Sequence, residues 1–189
     1  MNTPNKLTLL RMFMSPIFLA VLIANFSHNF LAALIVFALA AITDFIDGHL
    51  ARKNNQITNF GKLLDPVADK MLTTAAFLAF MQMGLCNIWI IMVILTREFL
   101  ILSLRLIASS QGIIVPANIW GKIKTVSQMV SIILVLLLCE LSNYISTIVI
   151  DGFGFKLFTN ILFSVTALFT VISGVIYILE VKKKITFTK

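Results

Sequence analysis

Charged residues are scarce in this chain: Lys, Arg, Asp and Glu together make up only 12% of its 189 residues. Soluble domains carry about a quarter charged residues, so the chain lacks the polar shell that a soluble core needs. Hydrophobic residues account for 59% of the sequence, and its mean hydropathy is +1.00. The shortage of charge excludes an ordinary soluble domain and favours the lipid bilayer as the solvent of this protein.

Other absences narrow the class further. Cys86 and Cys139 form neither a C-x-x-C motif nor a spaced framework, so they predict no disulfide scaffold. No Pro/Gly/Ser-rich linker divides the chain, and we expect a single domain over residues 1–189. The first apolar run is followed by no A-x-A-like cleavage site, which predicts a retained membrane helix and not a cleaved signal.

The charges that are present are mostly positive, with a net charge of +7 and an isoelectric point near 9.7. A nucleic-acid-binding protein would interleave aromatic and basic residues or carry zinc spacing, and this chain does neither. Lys and Arg also mark the cytoplasmic flanks of spanning helices, where they suit anionic lipid headgroups. We therefore expect a lipid bilayer as partner, and no nucleic acid.

Apolar runs define the predicted helices, because a membrane-spanning helix needs about 20 mostly apolar residues. Six runs meet this requirement, at residues 7–26, 31–52, 64–83, 88–109, 119–140 and 157–180. Lys and Arg gather at both termini, around the loop after the second run and at the start of the fifth run, whereas the gaps on the other side hold only Lys156. This asymmetry predicts an all-α, polytopic integral membrane protein with six transmembrane helices and both termini cytoplasmic.

Acidic residues are the most informative, since four of the five aspartates lie between positions 44 and 69. Asp44 and Asp47 are three residues apart and Asp65 and Asp69 are four apart, so each pair shares one helix face. Ionisable groups at membrane depth are costly and are usually functional. The two helices flank one cytoplasmic loop, and we expect them to be antiparallel neighbours with both pairs facing one pocket.

A metal site would balance this pocket, because four carboxylates cannot share it unaided. Two divalent cations would cancel their charge, and all-oxygen ligands favour Mg²⁺, Mn²⁺ or Ca²⁺ over zinc. His49 points to a different helix face from Asp47, and we expect it to be a bystander. The alternative, that the aspartates cap helices or pair with Arg52, Lys62 and Lys70, explains one or two of them but not four.

A second basic group follows further along the chain. Arg97 and Arg105 lie eight residues apart within the fourth predicted helix, and Lys122 and Lys124 open the fifth. If these helices meet beside the aspartates, the four cations form a pocket for a phosphate dianion. The enrichment of positive charge on the cytoplasmic side explains the two lysines. It does not explain Arg97, which lies in an apolar run. We expect Glu98 to be a salt-bridge partner with no wider role.

The stretch from Asp44 to Asp69 reads D-x2-D-G-x2-A-R-x8-G-x3-D-x3-D. It resembles the signature of the CDP-alcohol phosphotransferase family at all eight fixed positions. Segments elsewhere resemble the bacterial branch of this family that makes phosphatidylglycerophosphate: P-N-K-L-T-L-L-R at 4–11, T-R-E-F-L-I-L-S-L-R at 96–105 and W-G-K-I-K-T-V-S-Q at 120–128. The resemblance covers the first five predicted helices, whereas the sixth is generic.

The resemblance implies roles for the matching residues. Asp44, Asp47 and Asp65 would hold two Mg²⁺ or Mn²⁺ ions, with Asp69 as a further ligand or as the general base. The remaining motif positions, together with two residues of the first helix, would shape the CDP site: Gly48, Ala51, Arg52, Gly61, Asn5 and Thr8. A homodimer is also common in this family.

The implied reaction moves the phosphatidyl group of CDP-diacylglycerol onto a small alcohol, at the cytoplasmic face of a bacterial cytoplasmic (inner) membrane. The second basic group favours sn-glycerol 3-phosphate as the acceptor. Inositol phosphate, serine and phosphatidylglycerol remain alternative acceptors. A divalent-cation transporter is less favoured, since the aspartates cluster at one surface and internal repeats are absent. A non-catalytic scaffold would leave the aspartates unexplained.

Overall fold

The computed structural model is all-α in the residues that it describes, which are 3–24, 26–53, 59–111, 119–145, 150 and 152–182. Side chains at 3–6, 44–53, 59–63, 65 and 110 lie outside this description. The six helices are α1 (Thr3–Ile23), α2 (Asn29–Lys53), α3 (Asn59–Gln82), α4 (Ile88–Ser110), α5 (Ile119–Leu141) and α6 (Phe153–Lys182). Each of the six predicted apolar runs therefore forms one helix.

Four of the six helices begin earlier than their apolar runs predict: α1, α2, α3 and α6. The third run starts at residue 64, but α3 begins at Asn59 and continues through Pro66. Proline removes one backbone donor, and a helix packed among other helices tolerates that loss. The sixth run starts at residue 157, but α6 begins at Phe153, and the Lys156 N–H donates to the Gly152 carbonyl over 3.1 Å. Lys156 is therefore part of α6 and not of the preceding loop.

The helices pack in a ring whose order differs from their order in the sequence. α1 packs mainly against α2 and α3, and α6 mainly against α4 and α5. Contacts of α2 with α5 and of α3 with α4 close the ring. α2 and α3 also contact each other, as expected, although α1 contacts each of them more extensively. Within the described residues, α6 separates the backbones of α4 and α5.

Connection lengths explain why sequence neighbours need not pack together. Positions 54–58 and 111–118 supply five and eight residues between the helices that they join. At roughly 3.3 Å per residue, even five residues can reach past a helix about 10 Å wide. The connections therefore allow several helix orders, and side-chain packing selects among them.

Phenylalanine rings fill the centre of the bundle. Phe18 of α1 and Phe37 of α2 are fully buried, with ring centroids 5.7 Å apart. Phe163 of α6 reaches across the interior to α3, where its centroid lies 5.4 Å from that of Phe77 and 5.6 Å from that of Phe80. Aromatic pairs at such separations add to the stabilisation from burial alone. This cluster joins the α1–α3 half of the ring to α6.

Polar contacts tie together one end of the bundle. His28, in the turn between α1 and α2, lies 2.5 Å from Glu140 of α5 through its Nδ1 atom. The other carboxylate oxygen of Glu140 accepts from the Leu31 N–H over 3.1 Å. Asn160 of α6 accepts from the Asn87 N–H, which precedes α4, over 2.8 Å. The ends of α2 and α3 that carry the aspartate motif therefore lie at the opposite end.

The outer surface of the bundle is apolar. Among the described residues, α5 and α6 are long and apolar enough by length and composition to cross a membrane, and shorter apolar stretches occupy Leu7–Ile23 and Asn29–Thr43. Large apolar side chains on other helices also face outward, including Phe13 and Ile35. Soluble monomers rarely expose such continuous apolar surface. The surface is that of a protein in contact with lipid.

We predict that Phe163→Ala lowers the free energy of unfolding by about 3–5 kcal/mol, because it empties a fully buried site between two rings. Leu168→Ala on the same helix is the matched control, since Leu168 is 58% exposed. Equilibrium unfolding in detergent micelles, followed by circular dichroism, measures both. Equal destabilisation by the two variants would contradict this account of the core.

Candidate functional site

The structure places both aspartate pairs on helices at the same end of the bundle. Asp44 and Asp47 lie on α2, and Asp65 and Asp69 lie on α3. The side chains of the first three lie outside the described residues, as do those of the predicted CDP-site positions Gly48, Ala51, Arg52, Gly61 and Asn5. Thr8 is buried on α1. The roles of these residues remain predictions.

Asp69 is the aspartate of the motif whose side chain is described, and it is held by a neighbouring lysine. Its Oδ2 atom lies 2.9 Å from Nζ of Lys70. The same Nζ atom lies 3.0 Å from Oε2 of Glu98 on α4. Lys70 therefore connects the aspartate motif on α3 to a carboxylate on a different helix.

Glu98 joins three cations although it is only 4% exposed. Besides Lys70, its carboxylate forms an ion pair with Lys124 of α5, and Oε1 lies 3.6 Å from Nη1 of Arg97. A carboxylate buried to this extent must be paired, because its desolvation is costly. We call Asp69, Lys70, Arg97, Glu98 and Lys124 the ionic cluster. Its three cations face two carboxylates, which leaves one net positive charge.

The Arg97 side chain packs against α6, where it contacts a serine and a glycine. Its Nη2 atom donates to Oγ of Ser173 over 2.9 Å. At the next position, Gly174, an added Cβ would lie 2.9 Å from Cγ of Arg97. A Cβ cannot come this close without a shift, so glycine leaves the room that the arginine stem occupies. The sequence predicted Arg97 as functional but gave no signal for this seat on α6.

The four predicted phosphate-binding cations divide into two groups. Arg97 and Lys124 come together through Glu98, as members of the ionic cluster. Arg105 and Lys122 are exposed, and neither forms an ion pair in the part of the chain that the structure describes. Lys124 is only 1% exposed, so its ammonium faces Glu98 and not solvent. Two of the four predicted cations therefore belong to the ionic cluster, and a phosphate-binding role for Arg105 and Lys122 stays a prediction.

Sequence reasoning missed the wider role of Glu98 and the bridging position of Lys70. Glu98 was expected to be a simple salt-bridge partner, whereas its carboxylate contacts cations from three helices. One signal was available: Glu98 is the single acidic residue in α4. Lys70 was expected to pair only with the aspartates, whereas it also pairs with Glu98.

An apolar groove of about 420 Å³ lies between α1, α3 and α4. Apolar side chains from all three helices line most of it, among them Pro16, Leu19, Met71, Leu78, Phe99 and Leu102. Lys70 also lines it, so the groove begins beside the ionic cluster. An apolar groove next to charged groups suits a ligand that has both a polar and an apolar part.

The donor chemistry of the motif fits a hard divalent cation. Carboxylate oxygens are the ligands that Mg²⁺ and Mn²⁺ prefer, and the predicted set consists of four aspartates. Lys70 engages one oxygen of Asp69. No group of three or more His, Cys, Asp or Glu side chains occurs in the described portion, where Asp69 alone represents the predicted ligands.

Comparison with known proteins identifies the family. Residues 1–181 match the family model described as CDP-alcohol phosphatidyltransferase. The chain belongs to this family. The match includes most of α6, for which the sequence motifs gave no family resemblance.

Curated relatives of this family are similar along most of the chain. A CDP-diacylglycerol--glycerol-3-phosphate 3-phosphatidyltransferase of Bacillus subtilis is 37% identical over 189 residues, covering 92% of this chain and 91% of that protein. A protein of the same name from Rickettsia bellii is 34% identical, covering 96% of each. A probable phosphatidylglycerophosphate synthase of Mycobacterium tuberculosis is 37% identical, covering 94% of this chain and 80% of that protein.

We predict that Gly174→Ala lowers the free energy of unfolding by about 1–3 kcal/mol, because the new methyl group collides with the Arg97 stem. Gly154→Ala on the same helix is the control, since no atom lies within 4 Å of the added Cβ. Denaturant unfolding of both purified variants measures the difference. If Gly174→Ala is as stable as Gly154→Ala, the close contact with Arg97 is wrong.

Proposed function

We propose that the protein transfers the phosphatidyl group of CDP-diacylglycerol to sn-glycerol 3-phosphate, giving phosphatidylglycerophosphate and CMP. The observation that carries this proposal is the ionic cluster, which links Asp69 of the aspartate motif to Arg97 and Lys124. Such a transfer needs a group that accepts the hydroxyl proton and a cation that binds the acceptor phosphate. The names of the similar proteins from Bacillus subtilis and Rickettsia bellii support the same reaction.

The chemistry begins at the acceptor hydroxyl. Asp69 accepts its proton, and the hydroxyl oxygen attacks the phosphorus that carries diacylglycerol. The bond between this phosphorus and the oxygen of CMP breaks, and CMP leaves with that oxygen. Mg²⁺ or Mn²⁺, held by Asp44, Asp47, Asp65 and Asp69, would neutralise negative charge on the pyrophosphate.

Arg97 is the best-placed residue for the acceptor phosphate. A guanidinium presents a planar fork of donors that matches phosphate oxygens, and one arm of Arg97 is already fixed by Ser173. The net positive charge of the ionic cluster also favours a dianion over a neutral alcohol. Arg105 and Lys122, both exposed, would raise the local concentration of a charged acceptor. Serine needs no such group, so these cations favour glycerol 3-phosphate.

We infer that all six helices span the bilayer, with both termini and the ionic cluster towards the cytoplasm of a bacterial cell. The outward-facing apolar side chains and the gathering of Lys and Arg on one side support this topology. The groove between α1, α3 and α4 would take an acyl chain of CDP-diacylglycerol, while the nucleotide stays near the motif. The polar reaction then takes place at the end of the helices.

We predict that the purified protein releases CMP from CDP-diacylglycerol only when glycerol 3-phosphate and Mg²⁺ or Mn²⁺ are present. Asp69→Asn should lower this release at least about 100-fold, because an amide accepts no proton from the hydroxyl. Asp151→Asn is the matched control, since Asp151 is the one aspartate outside the motif. Chromatographic assay of CMP measures all three proteins.

The acceptor is tested in the same assay with serine, inositol phosphate and phosphatidylglycerol in place of glycerol 3-phosphate. We expect lipid product from glycerol 3-phosphate alone. Product from another acceptor, with none from glycerol 3-phosphate, would replace the proposed reaction by that of a sister enzyme. Full turnover by Asp69→Asn would remove the proton-accepting role of Asp69.

We also predict that Arg97→Gln raises the KM for glycerol 3-phosphate by about 10- to 100-fold, the expected effect of losing a charge-assisted hydrogen bond. The KM for CDP-diacylglycerol should change little. Lys122→Gln should have a smaller effect, because Lys122 is exposed and forms no ion pair with another described residue. Steady-state kinetics in mixed micelles measure these constants. Equal effects of both variants would place the phosphate outside the ionic cluster.

A further inference from the structure

Lys70 of the ionic cluster neither binds a substrate nor accepts a proton in the proposed reaction. We propose that Lys70 is a positioning residue: by bridging Asp69 and Glu98, it fixes which oxygen of Asp69 faces the acceptor hydroxyl. This inference rests on the proposed function, in which Asp69 accepts the proton. It also gives Glu98 a purpose, as the anchor to which Lys70 is tied.

The bridge has suitable geometry. Nζ of Lys70 lies 2.9 Å from Oδ2 of Asp69 and 3.0 Å from Oε2 of Glu98, so one ammonium serves two carboxylates on different helices. The Lys70 side chain also lines the groove with Pro16 of α1 and Phe99 of α4. Two simultaneous ion pairs restrict the positions that the ammonium can take.

Glu98 provides a rigid point of attachment. It is almost fully buried, and the Lys124 ammonium with which it pairs is buried as well. Arg97, on its other side, is held by Ser173. Asp69, in contrast, has a side chain that is 37% exposed and would otherwise choose among rotamers. The constraint therefore passes from the buried Glu98, through Lys70, to the exposed Asp69.

The consequence concerns orientation more than stability. Loss of the Lys70 bridge leaves Glu98 paired with Lys124 and Arg97, so the protein should remain folded. It should instead allow the Asp69 carboxylate to rotate away from the acceptor hydroxyl. Small displacements of a catalytic group are enough to lower the rate substantially.

The test compares Lys70→Met and Lys70→Arg with the wild-type protein in the CMP-release assay. We expect Lys70→Met to lower kcat by about 10- to 100-fold, the usual effect of losing a residue that orients a reacting group. Both KM values should stay within about 3-fold, because substrate binding uses other residues. Lys70→Arg keeps a cation of similar reach and should recover much of kcat. Lys182→Met, at the exposed end of α6, is the control with unchanged activity.

A double-mutant cycle tests whether Lys70 acts through Asp69. If it does, Lys70→Met should cost little more in the Asp69→Asn background, within about 3-fold in kcat. Fully additive losses would mean that the two residues act independently, and would overturn the proposal. Wild-type kcat in Lys70→Met, or no recovery by Lys70→Arg, would overturn it too. If Lys70→Met does not fold, Lys70→Gln replaces it and is judged by the same criteria.

Failure of this inference is distinguishable from failure of the proposed function. If the wild-type protein releases no CMP with glycerol 3-phosphate, the proposed acceptor is wrong. The Lys70 variants are then compared with whichever acceptor sustains CMP release. If the wild-type protein is active and the Lys70 variants match it, only the positioning role is wrong.

Discussion

The burial of the Glu98 carboxylate among cations is the constraint on which the site depends. A lone carboxylate at this depth would be too costly, and so would the buried Lys124 ammonium without it. Each therefore requires the other, and the pair holds α4 and α5 in register although α6 lies between their backbones. Lys70 extends this pair to α3 and to the aspartate motif. Fold and site thus share one set of interactions.

The ring order of the helices makes room for these contacts. Because α1 contacts both α2 and α3, and α6 contacts both α4 and α5, long side chains from facing helices can meet in the interior. Phe163 uses this space to reach Phe77 and Phe80, and Lys124 uses it to reach Glu98. Aromatic packing therefore joins α6 to α3, and ion pairing joins α5 to α4.

Much of the fold could be predicted from the sequence because apolar length decides where membrane helices form. Each predicted run became a helix, and the aspartate spacing placed Asp65 and Asp69 together on α3. The ring order could not be predicted, since connections of five and eight residues permit several arrangements. For the same reason, the bridge from Lys70 to Glu98 was missed. Contacts between distant helices depend on which side chains can share a buried charge, and helical periodicity carries no information about that.

Three features meet at Lys70: an aspartate of the motif, the buried Glu98 carboxylate and the apolar groove. The most direct test is an experimental structure with Mn²⁺, CDP-diacylglycerol and glycerol 3-phosphate bound. The account predicts Mn²⁺ at the four aspartates, the phosphate of glycerol 3-phosphate against Arg97, and Lys70 between Asp69 and Glu98. A phosphate bound away from α4, or Mn²⁺ bound outside the motif, would contradict it.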